Sequence, residues 1–191
     1  MNYKKILLIK EGIKIFGEKG FEDFRPAGLE KQAGIRKGTF FEFFDTTEKF
    51  AKECCLFTVD KLLKSNTEYI SKLEKELSFD EISKEVWFNT IAWWLNENEA
   101  FHFFQKFKNT RYYLEDPEFV LEVSQPYLDF TKIGQNNGFI KSMPPDFLYE
   151  IASNQILTTV QYIQDHPKLI SDKEFLAISF ETLWDSIKVR E

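Results

Sequence analysis

The chain has almost no cysteine or histidine, and that scarcity removes whole classes of chemistry. Its two cysteines, Cys54 and Cys55, are adjacent, and its two histidines, His102 and His166, stand alone. Neighbouring positions on a helix point apart, so adjacent cysteines cannot pair in place. No Cys or His lies at zinc-ligand spacing. No metal, disulfide or cofactor is expected, and the thiols read as two small buried side chains. Long apolar runs are missing too: nothing approaches the roughly 18 residues of a membrane-spanning helix. Lys4-Lys5 before Ile6-Leu7-Leu8-Ile9 imitates the start of a signal peptide. Lys10 and Glu11 interrupt it, however, and no small-residue cleavage site follows. The segment reads as an amphipathic helix and the protein as cytoplasmic. No Gly-rich phosphate loop, nucleophile elbow or paired metal motif occurs. Glu97, Glu99, Glu115, Asp116 and Glu118 fall at helix ends, where acidic residues favour the next helix N-terminus. No feature points to an enzyme.

Strand signals are equally scarce, whereas helical spacing recurs throughout. Ile6, Ile9, Ile13 and Phe16 share one helical face, and Gly20 closes that helix. Pro26 suits the first turn of a short helix ending near Ala33-Gly34, and another runs from about Arg36 to Phe43. Asp45-Thr46-Thr47-Glu48 reads as an N-cap with its acidic partner three residues on, opening a long helix to about Leu73. Ser78-Phe79-Asp80 opens a helix that carries Ile82, Val86, Trp87, Ile91, Trp94 and Leu95 on several faces, which predicts a buried position. A shorter helix spans about Glu99 to Lys108. Asp116-Pro117 starts the next, with Pro126 as a kink and Gly138 as its end. Pro144-Pro145-Asp146 begins a helix to about Gln164, stopped by His166-Pro167. Ser171-Asp172-Lys173-Glu174 reads as a capping box for a last helix with the stripe Leu176, Phe180, Leu183, Trp184 and Ile187. The fold class is all-α, with about nine helices.

The net charge of −6 argues against a generic nucleic-acid binder, but its distribution is uneven. Residues 1–52 hold 11 Lys and Arg against 8 Asp and Glu, whereas residues 53–191 hold 14 against 23. Any basic contacts to a phosphate backbone are therefore confined to the first quarter. That quarter contains Phe16-Gly17-Glu18-Lys19-Gly20-Phe21 and then Gly28-Leu29-Glu30-Lys31-Gln32-Ala33-Gly34-Ile35-Arg36-Lys37-Gly38-Thr39-Phe40-Phe41-Glu42-Phe43-Phe44. Two short helical segments meet at a glycine turn, and the second opens on Arg36-Lys37. Proteins that place a short helix in the DNA major groove share this layout. Gly34 supplies the positive φ of the turn. Gly38 either lets the backbone approach DNA closely or is a permissive surface glycine. Lys37 and Thr39, at the start of the second helix, reach base edges or phosphates, or else form a solvated pair. Phe40 and Phe44 pack the core of the small domain. Phe41 and Phe43 read equally as contacts to thymine methyls or sugars and as core.

The segment from Phe16 to Phe50 resembles the DNA-binding domain of the tetracycline-repressor (TetR) family of bacterial transcriptional regulators. Phe16 and Lys19-Gly20-Phe21 match the end of that family's first helix. Ala33-Gly34-Ile35-Arg36-Lys37-Gly38-Thr39-Phe40-Phe41-Glu42-Phe43-Phe44 aligns without a gap to its common Ala-Gly-Val-Ser-Lys-Gly-Thr-Phe-Tyr-His-Tyr-Phe. The resemblance covers 35 of the chain's 191 residues. It implies a helix-turn-helix domain over 1–46, a ligand-binding and dimerisation domain over 47–191, and a palindromic double-stranded DNA operator as partner. The implied DNA-contacting set is Arg25, Arg36, Lys37, Gly38, Thr39, Phe41, Phe43, Thr47 and Lys49. The family often has Thr at the place of Arg25, Tyr at Phe41 and Phe43, and Lys at Thr47, residues that typically hold phosphates. Arg25, Arg36, Lys37 and Lys49 would replace the missing donors.

The same resemblance makes the helices at about 146–164 and 172–189 a four-helix bundle with a second subunit. It places a small-molecule pocket among the middle helices, lined by Trp87, Ile91, Trp94, His102, Phe104, Tyr127 and Phe130. The dense aromatic set from Trp87 to Phe130 reads alternatively as a bulky core. The implied function is a ligand-responsive regulator, a repressor that releases its operator when a small apolar or aromatic molecule fills the cavity. The alternative keeps the fold as a small-molecule binding or interaction module that no longer binds DNA. Phe41, Phe43 and Thr47, which lack the family's phosphate donors, and the negative Glu42 motivate it.

Overall fold

The computed structural model describes residues 2–73 and 76–190. Among these residues there are ten α-helices and no strand; the one antiparallel bridge joins Ile140 and Lys188. Two compact units form: one from residues 2–61 and 97–123, the other from 62–96 and 124–190. Two of the three boundaries, 61/62 and 123/124, fall inside long helices, and the third, 96/97, falls between two helices. None of the described helices is long and apolar enough to cross a membrane.

The first unit begins with α1 (Tyr3–Lys19), capped by the Asn2 side chain, which accepts from Lys4 N–H at 2.9 Å. Gly20, at φ 78°, ends the helix in a conformation that glycine adopts without strain. Then come α2 (Pro26–Gln32), with proline in its first turn, and α3 (Phe40–Phe43). α3 is shorter than the helix expected from Arg36. Gly38 sits at φ 92°, in the left-handed region, so no right-handed helix can run through it. That conformation, rather than mere permissiveness, is what requires glycine there.

α4 (Thr47–Ser71) is capped by Thr46, whose hydroxyl accepts from Lys49 N–H at 3.0 Å. The expected cap, Asp45, instead pairs with the Lys49 ammonium at 2.9 Å. α6 (Asn98–Phe107), the single turn α7 (Arg111–Leu114) and the start of α8 (Pro117–Asn136) complete this unit. α7 was not legible as a helix in the sequence because four residues show no periodicity. The core is phenylalanine: Phe16, Phe40, Phe44, Phe50, Phe101, Phe103 and Phe107 are all fully buried. Phe50 binds the set together, with ring centroids 5.6 Å from Phe16, 5.1 Å from Phe40 and 4.8 Å from Phe44. α1 packs closely on α6, where a Cβ at Gly17 would lie 2.7 Å from the Glu99 carbonyl oxygen. Lys106 of α6 donates to the Gly17 and Glu18 carbonyls at 2.5 and 3.0 Å, satisfying acceptors that the end of α1 leaves open.

In the second unit, α5 (Phe79–Asn96) opens on a capping box. Ser78 N–H donates to the Glu81 carboxylate at 2.9 Å, and Glu81 N–H to the Ser78 hydroxyl at 3.3 Å. α9 (Pro145–Asp165) is followed by a 3-10 turn (Pro167–Ser171) and α10 (Lys173–Ile187). Asp172, not Ser171, caps α10, accepting from Phe175 N–H at 3.0 Å; the 3-10 turn engages Ser171 in the preceding element. Phe79 stacks between Phe130 and Phe139, at 4.9 and 5.0 Å. A buried polar knot links α4 to α5: Asn89 donates to the Asn66 carbonyl at 2.8 Å, and Asn66 to the Thr90 hydroxyl at 3.1 Å.

Candidate nucleic-acid interface

The segment between α2 and α4 is built around buried phenylalanines, and this sorts its other side chains into outward and inward ones. Phe40 and Phe44, four apart, are fully buried as expected, so the intervening Phe41 and Glu42 point out. Phe41 is 64% exposed, unusual for a phenylalanine that has no surface role. Phe43 and Thr47 are half-buried, while Arg25, Arg36, Lys37, Gly38 and Lys49 are exposed.

Thr39 differs from the rest of the expected set. It is 1% exposed, and its hydroxyl, turned inward, has no hydrogen-bond partner among the described residues. It offers no side chain to a groove in this conformation.

The cations are not equivalent. Arg36 pairs with Glu42 at 3.3 Å, a contact that brings the two sides of the Gly38 turn together. Lys49 pairs with Asp45 at 2.9 Å, and that carboxylate, by hydrogen bond and charge, holds the ammonium above its ordinary value. Arg25 donates to the Phe24 carbonyl at 2.9 Å, which leaves its charge uncompensated. Lys37 has no ion-pair partner among the described residues. Of the four expected cations, Arg25 and Lys37 therefore carry the free positive charge. Arg36 and Lys49 must exchange a carboxylate for a phosphate before they contribute.

One residue that nothing in the sequence singles out proves central. Glu30 stands in a run of polar residues, Glu30-Lys31-Gln32, yet it is only 3% exposed. Its carboxylate accepts from Phe40 N–H at 2.7 Å.

The residues expected to line a ligand pocket fall in both units. Trp87, Ile91 and Trp94 on α5 are buried in the second, where Tyr127 and Phe130 of α8 are half-buried. His102 and Phe104 belong to α6 in the first unit, half-buried and buried respectively. Desolvation pushes the Tyr127 hydroxyl well up, and the Tyr149 ring lies 5.7 Å away. The Trp87 indole N–H is buried without a partner among the described residues. Cys54 and Cys55 are fully buried, and desolvation raises both thiols, which keeps them protonated and unreactive. The first unit also has an open cleft of about 490 Å³, lined by Thr46, Lys49, Lys52, Phe119 and Glu122 among others. Lys52 there bridges Glu48 at 2.6 Å and Asp116 at 2.7 Å.

An all-α chain with a glycine-turned, partly basic helical segment at its N-terminus defines a class: helix-turn-helix proteins with a larger helical remainder. Within that class the fold is that of TetR-family regulators. A putative TetR family transcription regulator from Shewanella sp. PV-4 superposes with a TM-score of 0.88 at 18% identity, covering 99% of this chain and 100% of that one. A TetR family regulator from Marinobacter aquaeolei VT8 gives 0.82 at 18% identity over 98% and 96%. The fatty acid degradation regulator FadR from Bacillus halodurans gives 0.69 at 15% identity over 96% of each chain. No protein-family model and no curated protein matches the sequence.

Proposed function

We propose that the chain is a homodimeric, ligand-responsive transcriptional regulator of TetR type that acts in the cytoplasm, with residues 1–46 meeting DNA and 47–191 serving ligand and dimer. The observation that carries this reading is the exposure of Arg25, Arg36, Lys37 and Phe41 around a buried phenylalanine core, in a chain that is otherwise acidic. Lys37 and Arg25 meet phosphates, the Gly38 backbone approaches the duplex, and Phe41 packs on a thymine methyl or sugar. Phe43, Thr47 and Lys49 flank that contact. Thr39 supports from inside.

Two such segments, one per subunit, read the half-sites of a palindrome. Dimerisation uses α9 and α10, which leave Phe147, Tyr162 and Ile178 about half exposed. Trp87, Ile91, Trp94, Tyr127 and Phe130 of the second unit serve an apolar ligand, and the unpartnered Trp87 N–H asks for an acceptor oxygen on it. A buried donor left unmade costs about 1–3 kcal/mol, a term that a carbonyl or hydroxyl ligand recovers. Ligand binding favours dimers whose α3 spacing no longer fits the operator, by a coupling of about 1–3 kcal/mol. The test is selection of genomic fragments by the purified protein: enrichment of a palindrome is expected, and no enriched sequence overturns the reading.

A second reading keeps the fold and ligand but not the operator. The pairing of Arg36 with Glu42 and of Lys49 with Asp45 favours it, since each pair removes a free cation. Ligand binding without any DNA enrichment is its signature.

A further inference from the structure

α3 is one turn long, and a single helical turn has no stability of its own. Its first N–H, that of Phe40, has no intrahelical acceptor. Thr39, in the capping position, supplies none, because its side chain makes no bond to the helix. Glu30 supplies it from ten residues away on α2, through the 2.7 Å bond to Phe40 N–H. The main-chain carbonyl of the same residue accepts from Ile35 N–H at 2.9 Å. One residue thus holds both ends of segment 35–40. A carboxylate this deeply buried is unfavourable unless donors meet its charge, and the N-terminal end of a helical turn is such a partner. The left-handed Gly38 between the two anchored points forbids any local helical route from Ile35 to Phe40. Inside the segment the backbone makes one turn bond of its own, Thr39 N–H to the Arg36 carbonyl at 3.2 Å, and Glu30 ties both ends of that turn to α2.

We propose that Glu30 is the positioning residue of the DNA-contacting segment. Its carboxylate fixes where α3 starts, and with that how Lys37 and Phe41, on either side of the anchored amide, are presented. The anchoring is a property of the fold; its effect on DNA rests on the operator reading above.

Two variants separate an acceptor from mere bulk. E30Q keeps a side-chain oxygen that can accept from Phe40 N–H, whereas E30L fills the volume and cannot. Hydrogen exchange at the Phe40 amide is followed by NMR, alongside affinity for fragments that the wild type enriches. In E30L, exchange at Phe40 is expected to speed up by about tenfold or more, and DNA affinity to fall by a similar factor. The Cys54 amide, deep in α4, keeps its slow exchange. E30Q is expected to stay within a few-fold of wild type in both. Wild-type protection at Phe40 in E30L overturns the proposal, as does an E30Q that loses protection as fully as E30L. Where E30L fails to fold, E30Q alone decides. A wild type that enriches no DNA sinks the operator reading, and exchange at Phe40 still decides the role of Glu30.

Discussion

At the scale of single residues, environment separates side chains of the same type. Arg36 and Lys37 are neighbours, but only Lys37 is unpaired among the described residues. Replacing Lys37 by Ala is expected to weaken operator binding and to reduce the slope of log affinity against log salt by about 0.9. Fluorescence anisotropy over a salt series measures both, and an unchanged slope counts against Lys37 as a phosphate contact. Gly17 presents the opposite case, a residue valued for what it lacks. A methyl group there meets the Glu99 carbonyl at 2.7 Å, and backbone cannot swing aside as a side-chain tip does. Gly17→Ala should cost about 1–3 kcal/mol in chemical denaturation by forcing α1 and α6 apart. Gly17 and Glu30 were both illegible in the sequence. The burial of each depends on elements remote in the chain, α6 for Gly17 and α3 for Glu30.

At the scale of elements, the ion-paired clasp in the first unit ties the start of α4 to the start of α8. Asp116 caps α8 by accepting from Phe119 N–H at 3.0 Å, and its other oxygen holds Lys52 at 2.7 Å. The Lys52 hydrogen bond, with the Phe119 amide second, lowers the Asp116 carboxyl below its ordinary 3.8. Burial pushes Lys52 down, but hydrogen bonds to Asp116 and Glu48 outweigh it and raise the ammonium. A lowered folded-state value means that this residue's stabilisation is complete above the ordinary aspartate range. It disappears as pH falls through the lower value. The difference in unfolding free energy between wild type and Asp116→Asn should therefore shrink as pH is lowered from about 5 to about 2. Urea melts at several pH values check it, and a constant difference refutes it. Helix boundaries follow the same local logic. At α10 the cap moved from Ser171 to Asp172, and at α4 from Asp45 to Thr46, since Asp45 reaches the Lys49 side chain instead.

At the scale of the whole molecule, the exposed apolar residues of α9 and α10 support the proposed dimer. Tyr162 is 47% and Ile178 52% exposed, on the two helices assigned to dimerisation. Isolated exposed apolar residues need no explanation, and several on adjoining terminal helices are what the proposed interface would cover. Ile178→Glu is expected to convert the dimer to monomer, read as a halved molar mass in light scattering with helical circular dichroism retained. A palindromic operator then loses affinity as well, because the two half-sites are no longer engaged together. A dimer that survives the substitution moves the interface elsewhere.

Sequence alone determined the all-α class, the order of the long helices and the place of the helix-turn-helix. Those follow from periodicity, prolines and capping residues, whose physics acts over a few positions of chain. Tertiary structure decided which side chains of that segment remain free to act. It turned Thr39 inward, paired Arg36 and Lys49 with carboxylates and left Lys37 unpaired. It also brought the buried Glu30 onto the Phe40 amide. The reason is that burial and charge pairing join residues whose separation in the chain carries no periodic signature. A sequence pattern shows which residues are present, and only the fold shows which of them face solvent.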